Sequence, residues 1–293
     1  MPIGCNRAAI VPPADQTISG SQFTLFRATV ESCCFVLSLI VEVLRLCGRF
    51  NLHSSPADIR RALGLLFEPC LTGPRYNIGP MQPSLVVRQD DNGARHAASL
   101  RWGLMPSWAK DEKMASSLIN ARGETVAEKP SFRSAFKRRR CLVPMNGYYE
   151  WQALGEKRKQ PWHIFPRSGE LLACAGLWET WKRNASEVVE TFCIITTGPN
   201  AQISSIHDRM PVVLTQKDWS PWLDPRNHDT DTLKSLLVPA DIELAKEPIS
   251  TYVNNVRNES QECIVPLEFS GANELPFMDV VQECSDKDDA KTL

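Results

Sequence analysis

The chain has 293 residues, of which 43% are hydrophobic, and a formal net charge of −1. This composition is typical of a globular protein with a buried core, and it excludes a disordered or fibrous chain. The ten cysteines are too few for a disulfide scaffold, and because they include no CxxC pair they give no sign of a zinc site. We therefore expect a cytoplasmic protein whose thiols are reduced and mostly buried, with no metal and no cofactor.

The charge is distributed unevenly along the chain. The stretch from Gly271 to the C-terminus carries six acidic residues and two lysines, whereas Lys137–Arg140 and Lys157–Lys159 are basic clusters. A mildly basic body permits nucleic-acid binding without demanding it, since basic runs are more often solvated surface. We expect residues 268–293 to form an acidic, disordered tail.

Residues 1–46 have no coherent domain or targeting pattern. The apolar run Cys33–Leu46 contains Glu42 and Arg45, and it is shorter than the roughly 20 apolar residues that a membrane span needs. Glu31 precedes the run and no small-residue cleavage site follows it, which argues against a signal peptide. We predict no membrane association, and we interpret residues 1–46 as an extension that is non-native or removed.

Regular patterning begins after Cys47. Ser55 as an N-cap, Pro56 at the first helical position and Asp58 in the first turn predict a helix that continues to about Leu66.

Short runs rich in β-branched and aromatic residues follow, separated by glycines, prolines and charged turns. They predict strands at Ser84–Arg88, Ala98–Trp102, Cys141–Val143, Tyr148–Gln152, Trp162–Phe165, Leu171–Trp178 and Thr191–Thr197. Two further helices are predicted at Ser131–Arg139 and Asp229–Leu237. Because strands and helices do not alternate regularly, we predict an α+β fold, in which residues 47–267 form a single domain around a curved, largely antiparallel sheet with peripheral helices.

Glu150 is a candidate for proton transfer. It lies between Tyr149 and Trp151, where burial would raise the pKa of its carboxyl toward neutrality. Strand alternation places Tyr148 on the same face, so either a polar pocket or a solvent-exposed edge strand fits this pattern.

Two further polar segments are candidates for a site. His207 lies in a turn with Arg209, where catalytic residues are often found, although a lone histidine is more often structural. Asn120 and Arg122 flank Ala121, so in an extended segment both side chains face the same way. Such a pair could hold a phosphate and a neighbouring oxygen, or it could belong to an asparagine-stabilised turn.

Two segments combine arginine, aromatic and turn residues, namely Arg75–Pro80 and Arg101–Trp108. This chemistry suits a groove that follows a phosphate backbone and offers a ring for a base to stack on. Core tryptophans are the commoner explanation of such a pattern, and for Trp108 we prefer the core.

Taken together and in this order, six motifs resemble those of the SRAP family, the SOS response-associated peptidases, also called abasic-site processing proteins. They are Cys-Gly-Arg-Phe, Arg-Tyr-Asn-Ile-x-Pro, Trp-Gly-Leu-x-Pro-x-Trp, Asn-Ala-Arg-x-Glu-Thr, Gly-Tyr-Tyr-Glu-Trp and His-x-Arg-Met-Pro. The resemblance runs from Cys47 to about Pro266, and Tyr252–Asn258 is similar to the family's last element.

The resemblance implies a sensor that crosslinks itself to abasic sites in single-stranded DNA, through a cysteine that is the mature N-terminal residue. A free α-amine condenses with the open-chain aldehyde of the abasic sugar, and the adjacent thiol then closes a thiazolidine ring. We expect a monomer that associates with the nucleoid when it is crosslinked.

The resemblance also implies roles for individual residues. Those of the chemistry are Cys47 as nucleophile, Glu150 to orient and deprotonate its amine, His207 to assist sugar ring opening and proton transfer, and Asn120 to hydrogen-bond the sugar or its flanking phosphate. The phosphates would be bound by Arg49, Arg122 and Arg209. The wall against which the DNA kinks and a base stacks would be shaped by Asn77, Pro80 and Trp102.

The sequence departs from the family at Leu46, which stands where the initiator methionine belongs. We expect the mature chain to begin at Cys47, either because translation starts at a leucine codon read as methionine or because a leader is removed by proteolysis. A retained leader would leave the nitrogen of Cys47 as an amide and permit only a reversible thiohemiacetal. The alternative functions are a cysteine peptidase or N-terminal-nucleophile amidohydrolase, and a noncatalytic binder of single-stranded DNA.

Overall fold

The computed structural model describes residues 47–155, 158–184 and 186–268. The expectations for residues 1–46, and for the tail beyond residue 268, lie outside these ranges. The strands of the described chain are β1 Arg49–Leu52, β2 Arg75–Ile78, β3 Pro83–Gln89, β4 Arg95–Trp102, β5 Asn120–Arg122, β6 Arg140–Met145, β7 Gly147–Ala153, β8 Lys159–Pro166, β9 Leu172–Lys182, β10 Val188–Thr197, β11 Met210–Pro211 and β12 Leu244–Pro248. Its α-helices are α1 Pro56–Leu63, α2 Arg133–Arg138, α3 Gln216–Leu223 and α4 Thr230–Ser235.

The strands form two sheets. One is a five-stranded antiparallel sheet in the order β12-β8-β7-β1-β2. In the other, pairing runs in a closed ring through β3, β4, β10, β9 and β6, while β5 and β11 also pair with β10. Only the pairs of β10 with β4 and β5 are parallel among these strands, so the predicted α+β, largely antiparallel architecture is confirmed.

Helix α1 shows how local sequence determines an element. The Ser55 hydroxyl accepts a hydrogen bond from the Asp58 backbone nitrogen at 3.2 Å, and Pro56 occupies the first turn, as predicted. The helix ends earlier than the predicted Leu66, because Gly64 adopts a left-handed conformation with φ of 61°.

The core lies between the two sheets. Trp102 of β4 packs edge-on against Phe50 of β1, with ring centroids 5.1 Å apart, and stacks on Phe192 of β10 at 6.2 Å. Cys174 and Cys193 are fully buried in the same cluster, as expected of small apolar side chains. Within the described ranges, no helix has the length and apolar character needed to cross a membrane.

Candidate functional site

Strand pairing brings the predicted nucleophile to the predicted acid. β1 runs antiparallel to β7 with Arg49 opposite Tyr149, so the residues just before β1 reach the next position of β7. There the backbone nitrogen of Cys47 donates a hydrogen bond to Oε1 of Glu150 at 3.0 Å. Both residues are buried, with Cys47 3% and Glu150 1% exposed. Of the two explanations for the Glu150 pattern, the structure therefore shows the polar pocket.

The burial of Glu150 changes its acidity. Desolvation raises the pKa of its carboxyl to about 8, against the opposing effect of its hydrogen bonds with Cys47. The pKa of the Cys47 thiol is likewise raised well above its ordinary value, first by burial and then by the charge of Glu150. The carboxyl can thus accept and return a proton near neutrality, and the thiol keeps its proton until a neighbouring group removes it or stabilises the thiolate.

His207 faces the second oxygen of the same carboxylate. Its Nε2 lies 3.8 Å from Oε2 of Glu150, and its Nδ1 accepts a hydrogen bond from the backbone nitrogen of Arg209 at 3.1 Å. Oδ1 of Asp208 also lies 3.1 Å from Nδ1, so two neighbours hold this side of the ring and turn Nε2 toward Glu150. Burial lowers the pKa of His207, which favours the neutral imidazole.

Asn120 and Arg122 project from β5 at the edge of this pocket. β5 pairs in parallel with β10, with Asn120 opposite Ile194. Ala121 is buried, whereas Asn120 is half-buried and Arg122 is exposed, which matches the predicted alternation. The Nδ2 of Asn120 donates to the carbonyl oxygen of Cys47 at 3.4 Å, so Asn120 helps to orient the nucleophile.

Arg209 is held in place by two partners that sequence reasoning missed. Its Nη2 donates to Oε2 of Glu124 at 2.9 Å and to the carbonyl oxygen of Thr196 at 2.7 Å. Its positive charge lies near enough to lower the pKa of the Cys47 thiol, in opposition to burial. The sequence feature that could have indicated this pairing is Glu124, which lies two residues after Arg122 and so places an acidic side chain at the end of β5.

Arg49 and Asn77 bind to each other and to the C-terminal part of the domain. The Nη1 of Arg49 donates to Oδ1 of Asn77 and to the carbonyl oxygen of Val253, both at 2.9 Å. The Nδ2 of Asn77 donates to the carbonyl oxygen of Asn258 at 2.9 Å, and its side chain is wholly buried. The expected place of Asn77 on a DNA-facing wall is therefore corrected, because this residue anchors residues 253–258 to β2.

The two tryptophans of the Arg101–Trp108 segment have exchanged their expected environments. Trp102, expected on the wall, is 0% exposed and donates from Nε1 to the Ile119 carbonyl oxygen at 2.8 Å. Trp108, expected in the core, is 54% exposed. Trp102 ends a strand that runs into the core, whereas Trp108 follows it in a turn.

An exposed apolar side chain also follows Pro80. Pro80 itself is half-buried, and Met81, the next residue, is 38% exposed with a left-handed φ of 69°. Among the residues that the structure describes, no group of three or more His, Cys, Asp and Glu side chains is placed to hold a metal ion.

Comparison with known proteins gives consistent matches over this part of the chain. The model of the family SOS response associated peptidase (SRAP) matches residues 46–256. Abasic site processing protein YoqW of Bacillus subtilis is 42% identical over 222 residues, which are 75% of this chain and 99% of that protein. Abasic site processing protein HMCES of Gallus gallus is 35% identical over 233 residues, with 69% of each chain covered.

The fold also matches solved structures. A protein from Bacteroides thetaiotaomicron has a TM-score of 0.65 and 27% sequence identity, and the match covers 75% of this chain and 100% of the other.

Proposed function

This chain belongs to the SOS response associated peptidase (SRAP) family, and from that premise we propose that it recognises abasic sites in single-stranded DNA and crosslinks itself to them through Cys47. The abasic-site part of this proposal draws on the names of the similar proteins from Bacillus subtilis and Gallus gallus. The covalent part draws on the geometry around Cys47.

One observation carries the proposal, namely the 3.0 Å hydrogen bond from the nitrogen of Cys47 to Oε1 of Glu150. For the nitrogen to be a free amine, the mature chain has to begin at Cys47. An α-amine has a pKa of roughly 7.7 to 8.0, and burial raises the pKa of Glu150 to about 8. The carboxylate is therefore matched to take a proton from the ammonium group and release a nucleophilic amine.

The reaction has two bond-forming steps. The amine nitrogen adds to the aldehyde carbon of the open sugar, and loss of water leaves an imine. The thiol sulfur of Cys47 then adds to the imine carbon, the electron pair of the C=N bond moves to nitrogen, and the nitrogen takes up a proton. The product is a five-membered thiazolidine, and no oxidant or reductant is consumed.

His207 and Asn120 assist this sequence. The Nε2 of His207 lies 3.8 Å from Oε2 of Glu150, so the two groups are placed to move a proton to the ring oxygen of the sugar as the aldehyde forms. Asn120 already donates to the carbonyl oxygen of Cys47 and lies at the pocket edge, where a sugar hydroxyl or phosphate would arrive.

The DNA strand would be bound at the mouth of the pocket. Arg122 is exposed and can approach phosphates. Arg209 is 12% exposed and paired with Glu124, so it would reach a phosphate only by exchanging this partner. Trp108 and Met81 are exposed apolar side chains near the segments first expected to form a wall. Trp108 replaces the buried Trp102 as the ring on which a base would stack, and Met81 would add an apolar contact.

A direct test uses the chain trimmed to begin at Cys47. Incubation with a single-stranded oligonucleotide that contains one abasic site should give a band that resists denaturing electrophoresis, and the matched intact oligonucleotide should give none. Noncovalent binding should prefer single strands over intact duplex and weaken with salt, since phosphates are neutralised. Absence of the resistant band at concentrations that saturate noncovalent binding would contradict the crosslinking proposal.

A peptidase is the second candidate, because the matching family is described as a peptidase and Cys47, Glu150 and His207 converge. The geometry supports it less well, since the Nε2 of His207 faces Glu150 and burial raises the pKa of the thiol. Hydrolysis of a peptide library by the trimmed chain, lost in Cys47→Ala, would favour the peptidase over the crosslinker if no DNA adduct forms.

A further inference from the structure

Tyr148 carries a buried polar group that the proposed reaction has not yet used. It lies on β7 two residues before Glu150, so both side chains are on the same face of the strand. The residue is 1% exposed. Its hydroxyl oxygen has no hydrogen-bond partner among the residues that the structure describes.

The adjacent tyrosine shows the ordinary arrangement. The hydroxyl of Tyr149, on the opposite face, donates to the Tyr76 carbonyl oxygen at 2.5 Å and accepts from Nδ2 of Asn51 at 3.1 Å. Because a buried hydroxyl without a partner destabilises the folded state, phenylalanine would be the more stable choice at position 148. A tyrosine there suggests a partner that is present only in another state of the site.

The groups around Tyr148 identify that partner. After burial, the charges of Cys47 and Glu150 are the next causes that raise the pKa of its phenol, followed by Cys174. The phenol therefore stays protonated at neutral pH and keeps a hydrogen that it can donate. Glu150 already binds the Cys47 nitrogen and faces His207, so the remaining acceptor that gains charge in the reaction is the sulfur of Cys47.

We propose that Tyr148 is a positioning residue that donates its phenolic hydrogen to the sulfur of Cys47 once the N-terminus is free, and so stabilises the thiolate that closes the ring. This inference rests on the proposed function. The thiol proton passes to Glu150, the sulfur–carbon bond forms as the π electron pair of the C=N bond moves to nitrogen, and the ring nitrogen, still bonded to that carbon, takes up a proton. Tyr148 keeps its own proton throughout.

The pH dependence of the Cys47 sulfur also involves other groups that face it. Glu150 of β7 and Cys174 of β9 disfavour the thiolate, and Arg209 before β11 favours it. Substitution of Tyr148 changes none of these charges, so a shift in the thiol titration can be assigned to the lost hydrogen bond.

The experiment compares Tyr148→Phe with Tyr149→Phe in the chain that begins at Cys47. Alkylation of Cys47 by iodoacetamide is followed against pH by mass spectrometry of its peptide, which separates it from the exposed Cys70. In Tyr148→Phe the pH midpoint of Cys47 alkylation should rise by about one to two pH units, because the thiolate loses a hydrogen bond. Its adduct yield in the early phase at pH 7 should fall about tenfold and recover at high pH.

Thermal unfolding provides the second readout. In the untrimmed chain, where the Tyr148 hydroxyl has no partner among the described residues, Tyr148→Phe should unfold at the same or a higher temperature, whereas Tyr149→Phe should unfold at a lower temperature. In the trimmed chain, Tyr149→Phe should leave the pH midpoint of Cys47 alkylation unchanged. An unchanged midpoint in Tyr148→Phe, or a lower unfolding temperature, would overturn the inference. Failure of the unsubstituted trimmed chain to form any adduct would instead refute the proposed function, and the alkylation midpoints would still test the bond to sulfur.

Discussion

His207 and Glu150 face each other, and each side chain accepts a hydrogen bond from a backbone N–H. The Nδ1 of His207 accepts from a backbone N–H, which directs Nε2 toward Oε2 of Glu150 at 3.8 Å. The other carboxylate oxygen accepts the backbone N–H of Cys47. Glu150 therefore lies between the Cys47 nitrogen and the His207 imidazole, which in the proposed reaction are the nucleophile and the proton carrier.

Replacement of Glu150 by glutamine should slow adduct formation by about 10² to 10⁴, the usual contribution of a general acid-base group. The amide keeps the shape of the side chain but accepts no proton. Single-turnover rates with abasic oligonucleotide measure the effect. Glu179→Gln is the matched control, since Glu179 is also buried but pairs with Arg139 at 2.7 Å; it should lower stability and leave the rate unchanged.

The raised pKa of Glu150 predicts a pH-dependent stability. Burial raises this pKa from 4.5 to about 8, so the folded state holds a proton that the unfolded state releases. The resulting stabilisation is complete below pH 4.5 and is lost as pH rises through about 8. Between about pH 7.5 and 8, which is roughly one pH unit or more above the ordinary histidine pKa of about 6.5, a fall in unfolding temperature reports on Glu150 rather than on histidine.

The control for that measurement is Glu150→Gln, which cannot titrate. Its unfolding temperature should fall less over the same window, and equal slopes for the two proteins would contradict the raised pKa.

His207→Ala should slow adduct formation without destabilising the fold, because the ring lies at the pocket edge and its loss removes a proton carrier. The yield of adduct in reactions stopped at several times gives the rate, and the thermal unfolding temperature shows whether the fold is intact. His96→Ala removes a histidine paired with Asp90 at 2.9 Å, on β4, and should change neither. A His207→Ala protein that reacts at the original rate would remove His207 from the mechanism.

Substitution of Trp108 should affect DNA binding, whereas substitution of Trp102 should affect the stability of the fold. Trp108→Ala should weaken single-stranded DNA binding by roughly 1 to 3 kcal/mol, the value of one base stacked on an aromatic ring, and leave unfolding unchanged. Trp102→Ala should instead destabilise the fold by about 3 to 5 kcal/mol through loss of core packing. Fluorescence titration and denaturant unfolding measure the two quantities. If Trp102→Ala instead weakened DNA binding and Trp108→Ala destabilised the fold, Trp102 would be the tryptophan that contacts DNA.

Local chemistry made part of this fold and site predictable. Ser55 and Pro56 predict helix α1. The aromatic neighbours of Glu150 gave burial as one of two explanations, and the residue is 1% exposed. Strands with alternating or continuous apolar residues were found near their observed positions. These features depend on residues close together in the chain.

The remaining features depend on contacts between distant segments. The strands β1, β2 and β12 are short and were not predicted, because partners far along the chain define them. Helix α3 was missed because Pro221 lies inside it. Asn77 and Trp102 show the same limit, since their polar or aromatic character says nothing of the segments that cover them.

The central claim is that Cys47 forms the stable bond to the abasic sugar, and the most direct test is the yield of heat-stable adduct from the trimmed chain carrying Cys47→Ala, measured without added reductant. The alanine N-terminus keeps the amine and can still form an imine, but it offers no sulfur to trap it. We predict no stable adduct and nearly unchanged noncovalent binding, with at most a weaker, labile linkage for Cys47→Ser. A full yield of heat-stable adduct from Cys47→Ala would show that another nucleophile reacts.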